Sequence, residues 1–314
     1  MNKTMPRDYR CVFLFGSPRS GTTLLQNILS RQSEIAEWYE PYYLWENFFP
    51  VTESDVWSDT FLTDATIERI RHEFKIYSHK SHKTIILDKS PLHAFNLKIV
   101  SEVFPNATFI HILRDGRDVT LSIKKEWNKR SDIAKQTDII QYLAVALDML
   151  KRQPYWRYRF MALAHELRLS VASFSVFNPS GCLNKSRWQG YPGWGPRFEG
   201  WRRYLDSHST IEFNAMQWVK SVEAVLGTWD DLPEASKIEV RYEDLIQSPR
   251  PVISSILDRI GVSASNHFFD TLPKINAQNF KKWQTEFSER ELQLIMPILS
   301  TLLDRLHYTE QFPS

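Results

Sequence analysis

Cysteine is nearly missing from this chain of 314 residues: Cys11 and Cys182 are all there is. Two cysteines exclude a disulfide framework and suit a reducing compartment. The nine histidines and two cysteines show no C-x-x-C or H-E-x-x-H spacing, so no metal site is expected. An excess of one charge is missing too. Thirty-nine basic residues face 37 acidic ones, a net charge of +2 with no basic stripe, which argues against a nucleic-acid partner. No apolar run approaches the roughly 18 residues of a membrane span, and Met1 to Asp8 lacks an apolar leader region. The expectation is a soluble cytoplasmic protein with no membrane partner. There is no internal repeat, low-complexity tract or Gly/Ser-rich linker. A chain of this length buries a substantial core as one large or two small domains. One domain over 1–314 is favoured, because strand-helix alternation runs from residue 10 to 125 and resumes with Ile238-Glu239-Val240-Arg241. Both parts are needed to complete one parallel sheet.

What is present is a glycine loop. The apolar run Cys11 to Phe15 leads into Gly16-Ser17-Pro18-Arg19-Ser20-Gly21-Thr22-Thr23, and Thr23 to Ser30 then carries apolar residues at helical spacing. The glycines have the G-x-x-x-x-G spacing of a phosphate-binding loop, where backbone N–H groups and a helix N-terminus meet an anion. The lysine that normally follows the second glycine to serve β- and γ-phosphates is replaced by Thr22. A nucleotide with one phosphate at this helix end is therefore expected, with Arg19 supplying a cation from inside the loop.

A second constellation follows the strand-like run Thr108 to Leu113: Arg114-Asp115-Gly116-Arg117-Asp118-Val119-Thr120-Leu121-Ser122. In an open parallel sheet, groups at the carboxyl ends of neighbouring strands share a crevice where ligands bind. Ser122, two turns down a helix starting near Asp115, shares a face with that helix start. An Arg fork plus a hydroxyl suits a second, separate phosphate. The alternative is a capping cluster in which Asp115 and Asp118 pair with Arg114 and Arg117.

Together the loop GSPRSGTT, the segment RDGRDVTLS and Glu40 in Trp38-Tyr39-Glu40-Pro41 resemble the PAPS-dependent sulfotransferase family, in the branch that includes the tyrosylprotein sulfotransferases and related bacterial-type enzymes. The similarity covers residues 10 to 125 and roughly 212 to 310, including Arg241-Tyr242-Glu243-Asp244-Leu245. The resemblance implies an α/β, P-loop-like three-layer domain, with a central parallel sheet flanked by helices and an aromatic loop-rich insertion. It implies 3′-phosphoadenosine 5′-phosphosulfate (PAPS) as cofactor, with Gly16, Ser17, Pro18, Arg19, Ser20, Gly21, Thr22 and Thr23 around the 5′-phosphosulfate. Arg114 and Ser122 would hold the 3′-phosphate, Tyr242 would touch the nucleotide, and Lys281 and Lys282 would belong to a basic segment closing over the 3′ side. A solvated stretch with two exposed lysines is the alternative for that last segment.

For catalysis the resemblance implies Glu40 as base, twenty-one residues after Arg19. Lys89 in Leu87-Asp88-Lys89-Ser90-Pro91, after the strand-like run Thr84 to Leu87, would act with Arg19 in place of a metal. Glu40 could instead be a helix N-terminal carboxylate before Pro41. His93 is the rival base, at the start of an expected helix Leu92 to Phe104. His111 reads as a residue of a buried strand, with no role. The acceptor is a hydroxyl of a sugar, small molecule, phenol or tyrosine. An atypical P-loop kinase or NTPase and a non-catalytic nucleotide-binding protein are the competing readings. The missing lysine weighs against a kinase.

Residues 126 to 213 form an insertion on the acceptor side, with an expected helix Thr137 to Lys151 and Gly/Pro-rich loops between Asn178 and Gly200. Trp188, Tyr191, Trp194, Phe198 and Trp201 are either a lid over the acceptor cleft or anchors of the insertion.

Overall fold

Short apolar, β-branched runs become the strands β1 Arg10–Phe15, β2 Ile35–Tyr39, β3 Ile85–Lys89, β4 Thr108–Leu113 and β5 Lys237–Arg241. The computed structural model describes residues 9–50, 52–135, 155, 158–164, 188, 193–273, 275–276 and 280–308. Among the described residues the strands form one parallel sheet, ordered β2-β3-β1-β4-β5. The expected helix Thr137 to Lys151 and Tyr191 lie outside the described residues.

Successive strand residues point to opposite faces, and here the two faces differ in kind. One is aromatic: Phe13, Phe15, Trp38 and Phe109 pack with Trp45, Phe74 and Phe104, which α2 Tyr42–Trp45, α3 Asp64–Ser81 and the end of α4 Leu97–Val103 supply. The other is aliphatic: Val12, Leu14, Ile110, Ile112, Ile238 and Val240 meet α1 Thr22–Leu29 together with the later α8 Tyr242–Gln247 and α9 Pro249–Arg259. Helices on both faces of a parallel sheet give the three-layer α/β architecture. A third cluster joins α5 Gly116–Lys135, α6 Trp201–Ser207, α7 Thr210–Trp229 and α12 Glu289–Arg305 around Trp127, Trp188, Trp201, Trp218 and Trp283. Capping boxes, Ser209 with Glu212 and Ser288 with Glu291, start α7 and α12. Among the described residues no helix is long and apolar enough to cross a membrane.

The helix expected from Leu92 to Phe104 is broken in two. A 3₁₀ turn covers Pro91–Ala94 and α4 begins only at Leu97. Asn96 is the cause: its buried amide donates to Leu92 O (2.8 Å) and Asp55 O (2.9 Å), and its Oδ1 accepts from Trp57 N–H at 2.7 Å. A side chain that takes backbone partners in this way competes with the helix ladder. Asp55 in turn forms a fully buried ion pair with Arg197, 2.7 Å from Nη2, and also accepts the Arg197 N–H at 2.7 Å. The chain past residue 193 is thereby fastened to residues 53–57, and Trp201 Nε1 donates to Glu53 O at 2.6 Å.

This fastening divides the aromatic group of the middle segment. Trp188, Phe198 and Trp201 are buried with Phe213 and act as anchors, which corrects the lid reading for them. Trp194 stays half-exposed beside the glycine loop. Replacing Trp201 by Ala is expected to cost about 3–5 kcal/mol in urea denaturation, as for buried aromatics generally, and Trp194→Ala markedly less. Equal losses would make Trp194 an anchor as well.

His111 is buried in β4 on the aromatic face, 5.8 Å from the Phe15 ring and 5.6 Å from Trp229. Burial pushes its imidazole down from 6.5 to about 4. The unfolded chain therefore binds a proton below pH 6.5 that the folded chain refuses. This contribution is fully present above pH 6.5 and is lost as pH falls towards 4, amounting to about 3 kcal/mol. His111→Phe is expected to flatten that part of the stability-pH curve; an unchanged slope would place the acid sensitivity elsewhere.

Candidate active site

Parallel register brings the ends of all five strands to one edge. Leu14 stands opposite Lys89, Lys89 opposite Tyr39, Phe15 opposite His111, and Leu113 opposite Arg241. The next residues along the chain are Gly16, Glu40, Arg114 and Tyr242, so four of the sequence-predicted site segments emerge together with Lys89.

The loop closes between β1 and α1, with Ser20 N–H donating to Ser17 O at 3.2 Å. A Cβ on Gly16 would overlap Ile112 O and the Ser20 hydroxyl, and one on Gly21, where φ is 106°, would overlap the Tyr242 ring. Only glycine fits either place. No side chain caps the start of α1, and the buried Ser20 Oγ has no partner among the described residues. Both are groups an anion would satisfy. Gly195 packs on Pro18, and Gln217 holds that neighbouring loop by donating to Trp194 O (3.0 Å) and Pro196 O (2.7 Å).

On the β4 side, the buried Arg114 donates from Nη1 to Arg19 O at 3.0 Å and stacks 4.2 Å from the Tyr242 ring centroid. Trp218 Nε1 donates to Arg114 O at 3.1 Å. Arg19, in the left-handed region with φ of 66°, extends toward α5: its Nε donates to Ser122 Oγ at 3.0 Å and its guanidinium lies 6.0 Å from the Trp194 ring. Arg19 thus links Arg114 and Ser122 across the loop. Both pairs of the capping alternative are present: Asp115 accepts the Arg117 N–H at 2.8 Å and pairs with its guanidinium at 2.7 Å, and Arg114 Nη2 lies 4.0 Å from Asp118 Oδ2 while its Nη1 reaches the loop.

On the β2–β3 side, Glu40 N–H donates to Lys89 O at 2.9 Å, extending the ladder past β2. Lys89 Nζ sits 2.5 Å from Glu40 Oε1 and 4.4 Å from the Tyr39 ring centroid; its side chain is 2% exposed and that of Glu40 23%. The N-cap of α2 is Pro41, so the Glu40 carboxylate serves Lys89 rather than the helix start. Asp88, one residue earlier, points to the other face of the sheet. Its Oδ1 is 3.0 Å from His93 Nε2, and both side chains are fully buried. Phe13 and Trp45 surround that imidazole at 5.4 and 5.2 Å, so the rival base is a core histidine.

Two acidic residues that sequence reasoning left without a site role tie the edge together. Glu243 accepts the Asp115 N–H (3.0 Å) and the Tyr308 hydroxyl (3.1 Å), and burial, its largest influence, pushes its carboxyl up. Asp118 accepts the Lys281 N–H at 2.6 Å and the Trp283 N–H at 3.0 Å. Lys281 and Lys282 thus lie against the first turn of α5. Among the described residues no group of His, Cys, Asp and Glu could hold a metal ion.

The Sulfotransferase family model matches residues 11–169, half of the chain. A stretch of 77 residues, 24% of this chain, is 39% identical to the omega-hydroxy-beta-dihydromenaquinone-9 sulfotransferase Stf3 of Mycobacterium bovis (strain ATCC BAA-935 / AF2122/97), and equally to that of Mycobacterium tuberculosis (strain CDC 1551 / Oshkosh). The match spans 17% of the length of each relative. A solved sulfotransferase domain from the curacin biosynthetic pathway shares the fold, with TM-score 0.53 over 95% of this chain and 98% of its own at 15% identity. The chain belongs to the Sulfotransferase family.

Proposed function

We propose that this sulfotransferase uses 3′-phosphoadenosine 5′-phosphosulfate as donor and sulfates an acceptor hydroxyl, with Glu40 as the base. The observation that carries the proposal is the ion pair at the strand ends, where buried Lys89 holds Glu40 Oε1 at 2.5 Å beside the anion loop.

The residues fit the donor at both of its anionic ends. Gly16 to Thr23 offer close backbone approach, a helix start with no side-chain cap and the Ser20 hydroxyl, which has no partner among the described residues. The lack of a lysine after Gly21 suits a single phosphate there. Arg114 and Ser122, linked to each other through Arg19 of the loop, offer a site for the second phosphate, with the Tyr242 ring alongside. Lys281 and Lys282 approach the same turn of α5.

When bound, such a donor supplies a sulfuryl group on a phosphate leaving group. The chain's own task is then positioning and charge stabilisation, by analogy with phosphoryl transfer. Lys89 fixes Glu40 through Oε1, so Oε2 takes the proton of the attacking hydroxyl. The Lys89 ammonium then donates to the oxygen on which negative charge develops. Side-chain cations fill the place a divalent ion has in a kinase.

Any hydroxyl that reaches Glu40 meets the chemical requirement, whether on a sugar, small molecule, phenol or tyrosine. The acceptor in the mycobacterial relatives' name carries an omega-hydroxyl, which agrees with this class. We read 1–314 as one such domain, with 126–213 as an insertion on the acceptor side; Trp218 on Arg114 O and Arg241 Nη2 on Leu306 O (2.9 Å) support it.

Glu40→Gln keeps an oxygen for Lys89 but removes the base. Steady-state assays with this donor are expected to show kcat lowered about 10²–10⁴-fold with donor KM little changed. A kcat within threefold of wild type would move the base to another group.

A further inference from the structure

Asp118 lies in the first turn of α5 with its side chain 1% exposed. Burying a carboxylate costs several kcal/mol unless its oxygens are used. The helix start does not need it, because Asp115 already accepts the Arg117 N–H. Its two oxygens instead take amides from a segment more than 160 residues away: Oδ2 accepts from Lys281 N–H and Oδ1 from Trp283 N–H. Burial raises the Asp118 carboxyl above its ordinary range, and the Arg114 charge 4.0 Å away, with these two amides, opposes that rise.

Asp118 and Ser122, four residues apart, share one face of α5, and Arg114, just ahead of the helix, lies 4.0 Å from Asp118. The segment that Asp118 holds is therefore held between the two residues assigned to the second phosphate. Lys281 is in the left-handed region with φ of 57°, a conformation that a non-glycine residue keeps only when its surroundings impose it. Two contacts impose it here: the carboxylate of Asp118, and the Trp283 ring seated 4.0 Å from the Arg117 guanidinium.

We infer that Asp118 is a positioning residue: by fixing the backbone at Lys281 and Trp283, it sets Lys281 and Lys282 beside Arg114 and Ser122 to complete the site for the 3′-phosphate. The inference rests on the proposed donor.

Asp118→Asn tests it, because the amide keeps one acceptor and turns an N–H₂ toward the other backbone N–H. Two readouts are taken: hydrogen exchange of the Lys281 and Trp283 amides without ligand, and calorimetric affinities for 3′-phosphoadenosine 5′-phosphate and AMP. Wild type is expected to prefer the bisphosphate; if it does not, the donor assignment fails, and the inference with it. Given that preference, the variant is expected to exchange both amides faster than wild type and to lose roughly tenfold or more in bisphosphate affinity, with AMP affinity held within about twofold. Unchanged exchange, or faster exchange with the bisphosphate-to-AMP ratio intact, overturns the positioning role. Should Asp118→Asn not fold, Lys281→Ala with Lys282→Ala on the surface is expected to give the same selective loss, and an intact ratio there overturns it equally.

Discussion

The central strand β1 is hydrogen-bonded on both sides, to β3 and β4, and that parallel pairing decides where every group of the crevice stands. Parallel strands that begin on one side of the sheet also end on one side. Their last residues and first loop residues then face the same space. Lys89 is the end of β3, Arg114 follows β4, Tyr242 follows β5, and Gly16 and Glu40 follow β1 and β2. A register slip of one residue would send Lys89 to the aromatic face and Asp88 to the crevice, since successive side chains alternate. The aromatic packing of Phe13 against Phe74, Phe104 and Phe109 opposes such a slip from below.

Charge is then distributed by burial. Lys89 with Glu40, Arg117 with Asp115, and Arg197 with Asp55 all bring a cation out of water and give it a carboxylate within 2.7 Å. Removing one member of such a pair costs about 3–5 kcal/mol, which is why each holds its segment in a single arrangement. The pairs differ in use. Arg197 with Asp55 fastens loops, Arg117 with Asp115 starts a helix, and only Lys89 with Glu40 opens onto the crevice, through the partly exposed carboxylate.

Local features carried much of this in the sequence. The glycines of the loop, the apolar runs and the R-D-G-R-D segment encode strand, turn and helix start over five to ten residues, so β1, α1, β4 and the start of α5 were legible. Asn96 hid the break before α4, because its effect depends on Asp55 and Trp57, some forty residues away. The middle tryptophans share one residue type, and contacts from distant segments, Asp55 on Arg197, Glu53 on Trp201 and Gln217 on the Trp194 loop, decide that Trp201 turns inward while Trp194 meets Arg19. His93 stood as the rival to Glu40, and its packing between Phe13 and Trp45, which depends on residues far along the chain, makes it a core histidine. Glu243 and Asp118 act on backbone amides of distant segments, and no spacing in the sequence marks an acceptor for those.

The two-phosphate crevice is the central claim, and thermal stabilisation reads it most directly. Melting curves would be compared with 3′-phosphoadenosine 5′-phosphate, with AMP, and with ATP plus Mg²⁺, in wild type and in Arg114→Ala. The account expects the largest rise with the bisphosphate, corresponding to about 2.7 kcal/mol at a hundred times Kd, and loss of its advantage over AMP in the variant. A rise only with ATP and Mg²⁺, or none with any nucleotide, would contradict it.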